Sequence, residues 1–254
     1  MLNFKKISVL FLLFLAVMVW IGVENDLPIC VYFIPVLIWF WIVMIGFFTM
    51  SWNFHLKAFT GPKRCSSKDV AITFDDGPHS QYTPKVLELL KKYDAKATFF
   101  LIGKQVQKHP ELVKKIRTSG NDIGNHSFSH TPAISFGSTK TWISEIEQTD
   151  SIIEKITGVK PVVFRPPYGV TTPHLAAAIK RTGHQVIGWN VRSYDTAIND
   201  AELIKKRVIN RIKPGSIILF HDTQANTVEV LEHLLLFLQQ NRYKTVLIKD
   251  FLNE

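Results

Sequence analysis

The sequence predicts an α/β fold, with parallel strands alternating with helices, that follows two N-terminal apolar helices. Two observations lead to this prediction. Two uncharged runs, residues 7–23 and 29–50, open the chain, and beyond them short β-rich segments alternate with helical patterns. A parallel connection needs a long crossover, and a helix usually provides it. The alternation therefore predicts either an open doubly wound sheet or a barrel.

Composition limits the class of protein. The chain has 254 residues, 46% of them hydrophobic, including 18 Phe, which is enough for one sizeable core and excludes a disordered chain. Cys30 and Cys65 are the only cysteines, so a disulfide framework and a cysteine-rich zinc module are excluded.

The N-terminal runs predict a transmembrane hairpin over residues 1–50. They contain 17 and 22 residues, and a five-residue turn that begins at Glu24 separates them. About 20 apolar residues are needed to cross a bilayer, so the second run is long enough and the first is a short but plausible span. A cleaved signal peptide is the alternative for the first run, since Lys5 and Lys6 precede it, but no small-residue cleavage pattern follows.

A polar, basic linker is predicted over residues 51–67, and a folded α/β domain over residues 68–254. Gly and Pro breaks and apolar periodicity place the elements of the domain. The predicted strands cover residues 70–74, 97–102, 122–125, 162–165, 185–191, 216–220 and 244–248. The predicted helices cover residues 83–93, 110–118, 139–157, 173–182, 200–212 and 226–240.

The positive charge lies beyond the hairpin. Residues 1–51 carry two lysines and two acidic residues, so the whole net charge of +9 belongs to residues 52–254. This balance suits an anionic membrane face or an anionic substrate, and a solvated basic surface explains it equally well. A nucleic-acid partner is not expected, because no basic run with interleaved aromatic residues occurs.

Polar residues with catalytic potential cluster where the predicted strands end. They are Asp75 and Asp76, His126 and His130, Arg165, Asp195, and His221. Each group has an ordinary explanation, since Asp-Asp-Gly-Pro is a good turn and a lone pair of histidines is most often structural. Their joint occurrence at five strand exits favours a catalytic site, because catalytic groups of β/α barrels gather at that edge.

The residue types indicate metal-assisted hydrolysis. His126 and His130 are four residues apart, so a helical turn would place both imidazoles on one face. One carboxylate would complete a three-ligand site for Zn²⁺ or another divalent first-row metal, with a position left open for water. Asp75 and Asp76 would point in different directions on an extended chain, so one could bind metal while the other faces the water.

These segments together resemble the ordered motifs of the polysaccharide deacetylase family, also called the NodB homology domain or carbohydrate esterase family four. The matching stretches are Thr73 to Pro78, His126 to His130, Arg165 to Gly169, and Leu219 to His221, and the resemblance covers about residues 68–252. It implies a distorted (β/α) barrel of the NodB type and metal-dependent removal of acyl groups from sugars.

The resemblance also implies a role for each residue. Asp75 would be the general base, His221 the general acid, and Arg165 and Asp195 would orient them. Asp76, His126 and His130 would bind the metal, most simply Zn²⁺, with Co²⁺ as an alternative. The substrate-binding residues implied are Tyr168, through its backbone N–H, with Trp189, Leu219 and Pro166.

One motif departs from the family pattern. Where the family carries an Asp and, four residues later, a Trp, this chain has Arg192 and Thr196. Loss of the aromatic ring weakens the prediction of a long neutral glycan, and the added Arg favours an anionic group such as a lipid-linked sugar phosphate. A repacked loop with an unchanged substrate is the simpler alternative.

The sequence thus predicts an integral-membrane deacylase that acts on an N-acetylated sugar, in a glycan or a lipid-linked precursor, in contact with membrane lipid. A catalytically idle sugar-binding or scaffold protein is the alternative. Lys and Arg residues flank both outer ends of the hairpin, which favours a catalytic domain on the cytoplasmic side. A single crossing would instead place the domain outside.

Overall fold

The N-terminal segment forms two apolar helices. The computed structural model describes residues 3–253, and Met1, Leu2 and Glu254, at the ends of the predicted hairpin and catalytic domain, lie outside the described residues. Helix α1 spans Phe4–Glu24 and α2 spans Cys30–Phe48. Only 6% of α1 and 17% of α2 is buried within the protein. By length and composition both helices are therefore candidate membrane spans.

The hairpin is tied to the rest of the chain at one end. Phe11 stacks on Trp39 between the two helices, with ring centroids 5.3 Å apart. The backbone N–H of Phe4 donates to the carbonyl of Phe54 at 3.0 Å, which closes the start of α1 onto the segment after α2. The start of α1 and the end of α2 thus lie together beside the catalytic domain.

Nine parallel strands form the sheet, in the order β1-β6-β5-β4-β3-β2-β8-β7, with β9 paired to the start of β2. The strands are β1 Ala58–Phe59, β2 Asp69–Asp75, β3 Ala97–Leu101, β4 Asp122–Asn125, β5 Val163–Phe164, β6 Gln185–Ile187, β7 Val191–Arg192, β8 Ser216–His221 and β9 Lys244–Thr245. The sheet curls into the distorted barrel that the sequence predicts.

Helices cover the outside of the sheet. They are α3 Tyr82–Lys92, α4 Gly103–Lys108, α5 Pro110–Thr118, α6 Thr139–Thr157, α7 Pro173–Thr182, α8 Ala201–Ile209, α9 Ala225–Gln240 and α10 Ile248–Leu252. The predicted ends of the helices at residues 157 and 182 are confirmed, since Gly158 and Gly183, the next residues, adopt the left-handed conformation that ends a helix. The side chain of Asp200 caps α8.

Strand β2 separates two layers of the core, because successive side chains point to opposite faces. Val70, Ile72 and Phe74 pack outward against the helices. Ala71 faces the barrel interior with Phe100 and Ile217, and Phe251 of α10 packs into the same cluster. The alternation therefore places Thr73 and Asp75 on the interior face, nearer the carboxyl end of the barrel.

Several predicted elements differ from the structure. The predicted strand 185–191 is split into β6, which pairs with β1 and β5, and β7, which pairs with β8. The polar stretch predicted as a linker contributes β1, because Asn53 turns the chain at φ 52 and its side chain accepts from the Ala58 N–H. Helices α4 and α10 have periodicity too short to be recognised. The domain boundaries stay a prediction.

Close approach of β4 to β3 gives a stability prediction. A Cβ on Gly124 would lie 2.5 Å from a ring carbon of Phe100. Gly124→Ala should therefore lower the free energy of unfolding by about 1–3 kcal/mol through overpacking. Thermal unfolding in detergent micelles measures the change, with Ser151→Ala on the exposed face of α6 as the control. Equal midpoints for the two variants would contradict this packing.

Candidate active site

Arg165 connects the strands that carry the site. Its guanidinium is fully buried and donates from Nη1 to Asp75 Oδ1 and Thr73 Oγ1, both at 2.7 Å. It also donates to the carbonyls of Ile187 at 3.2 Å and Gly188 at 2.9 Å. Asp75, 3% exposed, is thus held in place by Arg165 through one of its two carboxylate oxygens.

The histidines predicted to share a site with Asp76 do lie beside it. Asp76 Oδ1 is 3.4 Å from His126 Nε2 and 3.2 Å from His130 Nε2. The chain leaves the strand at Asp76, which adopts φ 72, so the two adjacent carboxylates are directed apart by a turn and not by an extended chain. Asp75 Oδ2 lies 3.8 Å from His126 Nε2.

The prediction of a helical turn between His126 and His130 is wrong. Residues 126–130 form a loop after β4, in which Ser127 and His130 have positive φ. This loop brings the imidazole centroids to 4.8 Å. Glu145 of α6 supports it, because its carboxylate accepts the N–H groups of Phe128 at 2.9 Å and Ser129 at 2.7 Å.

The tautomer of His126 follows from its contact with the backbone. Its Nδ1 is 2.7 Å from the carbonyl oxygen of Arg165, which can only accept, so Nδ1 carries a proton and Nε2 is the nitrogen that faces Asp76. Burial and the neighbouring His126 lower the pKa of His130 to about 4, so His130 is neutral at pH 7.

The donor set fits a divalent metal. One ligand atom from each of Asp76, His126 and His130 lies within 4.8 Å of the others. Asp76 Oδ1 is buried and has no hydrogen-bond partner among residues 3–253. Burial raises the pKa of Asp76, but its two histidine neighbours outweigh this and hold the pKa well below its ordinary value. Two imidazoles and one carboxylate, with room for a further ligand, match a catalytic zinc site.

His221 faces this cluster from the neighbouring strand. Asp75 and His221 are register partners on β2 and β8. His221 Nδ1 lies 2.8 Å from Asp195 Oδ1, and the His221 N–H donates to Asp195 Oδ2, also at 2.8 Å. Burial lowers the pKa of His221, but the hydrogen bond and charge of Asp195 outweigh it and raise the pKa to about 9. His221 is therefore protonated at pH 7.

The residues implied for substrate binding surround the cluster. Tyr168 lies half exposed in the 3-10 turn Pro167–Gly169, with φ 60. Leu219 precedes His221 on the same face of β8 and is buried. Trp189 packs beside Gly169 and lies 5.7 Å from the Arg165 guanidinium, while Pro166 is buried next to it. Their roles in binding stay predictions.

In the motif that departs from the family pattern, around Arg192, the side chains form cation–π contacts. The Arg192 guanidinium lies 5.6 Å from the Trp189 ring and 4.7 Å from the Tyr194 ring. Arg207 covers Tyr194 at 4.3 Å and donates to the Arg192 carbonyl. Thr196 is exposed. These contacts are of the kind expected if the loop is repacked while the substrate is unchanged, which is the simpler of the two alternatives for this loop.

Sequence reasoning missed three residues that orient the site. Glu145 holds the loop of the histidines, and Asn125 accepts the Ser127 N–H while donating to Asp150. Thr227 donates to Asp195 Oδ2 at 2.6 Å. Glu145 and Thr227 are distant in the chain from the groups that they fix, and Asn125 has the pattern of an ordinary strand residue. No local sequence pattern therefore reveals these three residues.

The chain matches the family model described as polysaccharide deacetylase over residues 63–187. The peptidoglycan deacetylase PdaC from Bacillus subtilis is similar in structure, with a TM-score of 0.70 and 34% identity over 74% of this chain and 91% of that one. This chain belongs to the polysaccharide deacetylase family. The resemblance in the motifs is thus confirmed across most of the domain.

Two further proteins that are similar to this chain set the limits of the comparison. The peptidoglycan-N-acetylglucosamine deacetylase PgdA of Listeria monocytogenes is 36% identical over 76% of this chain. The chain spans only 41% of the length of that relative. A pseudoenzyme of carbohydrate esterase family four from Bacillus anthracis has a TM-score of 0.71 and 29% identity, over 77% of this chain and 68% of that one. The fold therefore occurs in active and inactive proteins.

The contact between His221 and Asp195 predicts a pH effect. A general acid acts only when protonated, so activity is lost as pH rises through its pKa. Asp195→Ala removes the group that raises the pKa of His221, and the high-pH limb of the kcat/KM profile should move to lower pH while the rate falls. Metal affinity should change little.

Thr196→Ala, one residue away and exposed, is the matched control and should keep the wild-type profile. A high-pH limb that stays in place in Asp195→Ala would show that this carboxylate does not tune His221.

Proposed function

We propose that the protein is a metal-dependent hydrolase that removes an N-acetyl group from a sugar in a glycan or lipid-linked glycan at a membrane. The observation that carries the proposal is the joint position of a metal-binding triad, a carboxylate held by Arg165 and a protonated His221 at one edge of the barrel. The named relatives are peptidoglycan deacetylases, which favours an N-acetylated hexosamine.

Asp76, His126 and His130 would hold the ion, for which Zn²⁺ suits the ligands best. The chemistry that such an ion supplies is Lewis acidity, which lowers the pKa of water and polarises the acyl carbonyl. Asp75 is the residue placed to accept the proton, because Arg165 occupies Oδ1 and leaves Oδ2 toward the cluster.

The remaining steps use residues of the chain. Water adds to the acyl carbon as its proton passes to Asp75, and the backbone N–H of Tyr168 stabilises the oxygen that becomes negative. His221 then donates its proton to the amide nitrogen as the carbon–nitrogen bond breaks. Acetate and the free amine leave, and Asp75 returns its proton through solvent to His221. Trp189, Leu219 and Pro166 bound the position of the sugar and its acetyl group.

The second candidate function is that of a catalytically idle binding protein on the same fold. The structural similarity to a pseudoenzyme supports this candidate. A binding module has no need for an acid, a base and a metal triad together. Release of acetate from an N-acetylglucosamine oligomer by the zinc-loaded protein separates the candidates. Absence of acetate from both this oligomer and a lipid-linked N-acetylglucosamine, with the metal bound, would exclude the hydrolase.

Role separation between the adjacent carboxylates gives a prediction. Asp76→Ala should lose the metal because it removes a ligand. Asp75→Asn should keep the metal and lower kcat by about 10²–10⁴, because an amide cannot accept the proton. Metal content by atomic emission and acetate release by a coupled assay measure the two effects. Equal loss of metal in both variants would contradict the assignment.

We propose that α1 and α2 cross the membrane, with the catalytic domain in the cytoplasm. Lys5 and Lys6 lie at the start of α1, and Lys57, Lys63 and Arg64 follow α2, whereas the turn between the helices carries only acidic charges. Short basic flanks prefer the cytoplasmic side.

Cys65 tests this topology, since it follows α2 closely in the chain. With Cys30 replaced, a membrane-impermeant thiol reagent should leave Cys65 unlabelled in intact cells and label it once the membrane is permeabilised. Labelling of Cys65 in sealed cells would place the domain outside and refute the cytoplasmic arrangement.

A further inference from the structure

An apolar groove of about 380 Å³ lies where the end of α2 meets the catalytic domain. Met44, Phe47 and Phe48 of α2 form one wall, and Phe136 and Tyr168 contribute to the others. The volume is within the range of about 300–1,000 Å³ typical of small-molecule sites. Its side chains offer mainly hydrocarbon and aromatic surface, which suits an alkyl chain.

The groove and the metal triad share one wall. The hydroxyl of Tyr168 donates to the backbone carbonyl of His130 at 3.1 Å, and the two rings lie 4.7 Å apart. One side of Tyr168 therefore borders the triad while it also lines the groove. An occupant of the groove ends beside the position that the proposed function assigns to the acetylated sugar.

The groove opens at the end of the candidate membrane spans. The Thr171 N–H donates to the carbonyl of Phe47 at 2.9 Å, which fixes the loop after Tyr168 to the last turn of α2. Phe48 is 68% exposed and Phe136 is 91% exposed. Their rings continue the exposed apolar surface of α2 into the groove, and apolar surface of this kind marks a membrane or ligand contact.

We propose that the substrate is a membrane lipid that carries the N-acetylated sugar, with its hydrocarbon chain seated in this groove. The inference rests on the proposed function, since it names the substrate class of that site. A water-soluble polysaccharide has no apolar segment to fill the groove. A lipid in the same leaflet enters it laterally from the surface of α2 and presents its headgroup to the triad.

The test uses the full chain in lipid nanodiscs, loaded with zinc, and two substrates that share the sugar. One is a water-soluble N-acetylglucosamine oligomer and the other is N-acetylglucosamine linked to a dodecyl chain. Each methylene buried in the groove contributes about fourfold to kcat/KM. The dodecyl substrate should therefore be preferred by on the order of 10²-fold if about four methylenes are buried.

Partition of the dodecyl chain into the bilayer also raises kcat/KM, so matched variants isolate the groove. Phe136→Ser should lower the preference for the dodecyl substrate about tenfold, mainly through KM, because it removes one apolar wall. Leu203→Ser, which removes a similarly exposed apolar side chain from α8, should leave the preference unchanged. An equal preference in Phe136→Ser and the wild type would overturn the lipid site while the deacetylase activity stood.

A binding measurement keeps the two proposals separable. A dodecyl N-acetylglucosaminide with a photoreactive diazirine near the end of its chain should label the peptides containing Phe48 and Phe136, whether or not acetate is released. Labelling without turnover would refute the deacetylase and support the groove. Labelling spread evenly over α1 and α2, with no enrichment in the peptides containing Phe48 and Phe136, would overturn the substrate site.

Discussion

The buried guanidinium of Arg165 is the interaction on which the site depends. It joins β2 to the segment after β6, and it rests on the Phe100 ring at 4.1 Å. The backbone carbonyl of Arg165 also fixes which nitrogen of His126 carries a proton, because His126 Nδ1 donates to it. Removing one partner of a buried ion pair costs about 3–5 kcal/mol, because the other charge is left uncompensated. Arg165 thus couples the closure of the barrel to the geometry of Asp75, the proposed general base, and of His126, a proposed metal ligand.

The register of the sheet explains why these groups meet. Strands β2 and β8 are parallel partners, so Asp75 and His221 end at the same level and face the interior. Ala71, Ile217 and Phe251 fill the other end of the interior. Polar chemistry is therefore confined to the carboxyl edge, which is also where the loop Pro167–Gly169 approaches the end of α2. The contact between this loop and the end of α2 therefore sets the position of the site relative to the hairpin.

Much of this arrangement could be predicted from the sequence. The alternation of strands and helices predicted a parallel β/α architecture, and the polar residues at strand exits indicated its active edge. The choice of a barrel over an open sheet came from the family resemblance. The split between β6 and β7 could not be predicted, because it is set by which neighbour each half pairs with. The supports from Glu145 and Thr227 were also hidden, since each contact joins segments distant in the chain.

The central claim is that Asp76 binds the metal while Arg165 keeps Asp75 free for the proton. Anomalous diffraction from crystals of the zinc-loaded protein, collected on both sides of the zinc absorption edge, tests it most directly. The account predicts one anomalous peak about 2.0–2.2 Å from a ligand atom of Asp76, His126 and His130. Asp75 should remain bonded to Arg165 through Oδ1. A peak with Asp75 as a ligand, or no peak within this triad, would contradict the account.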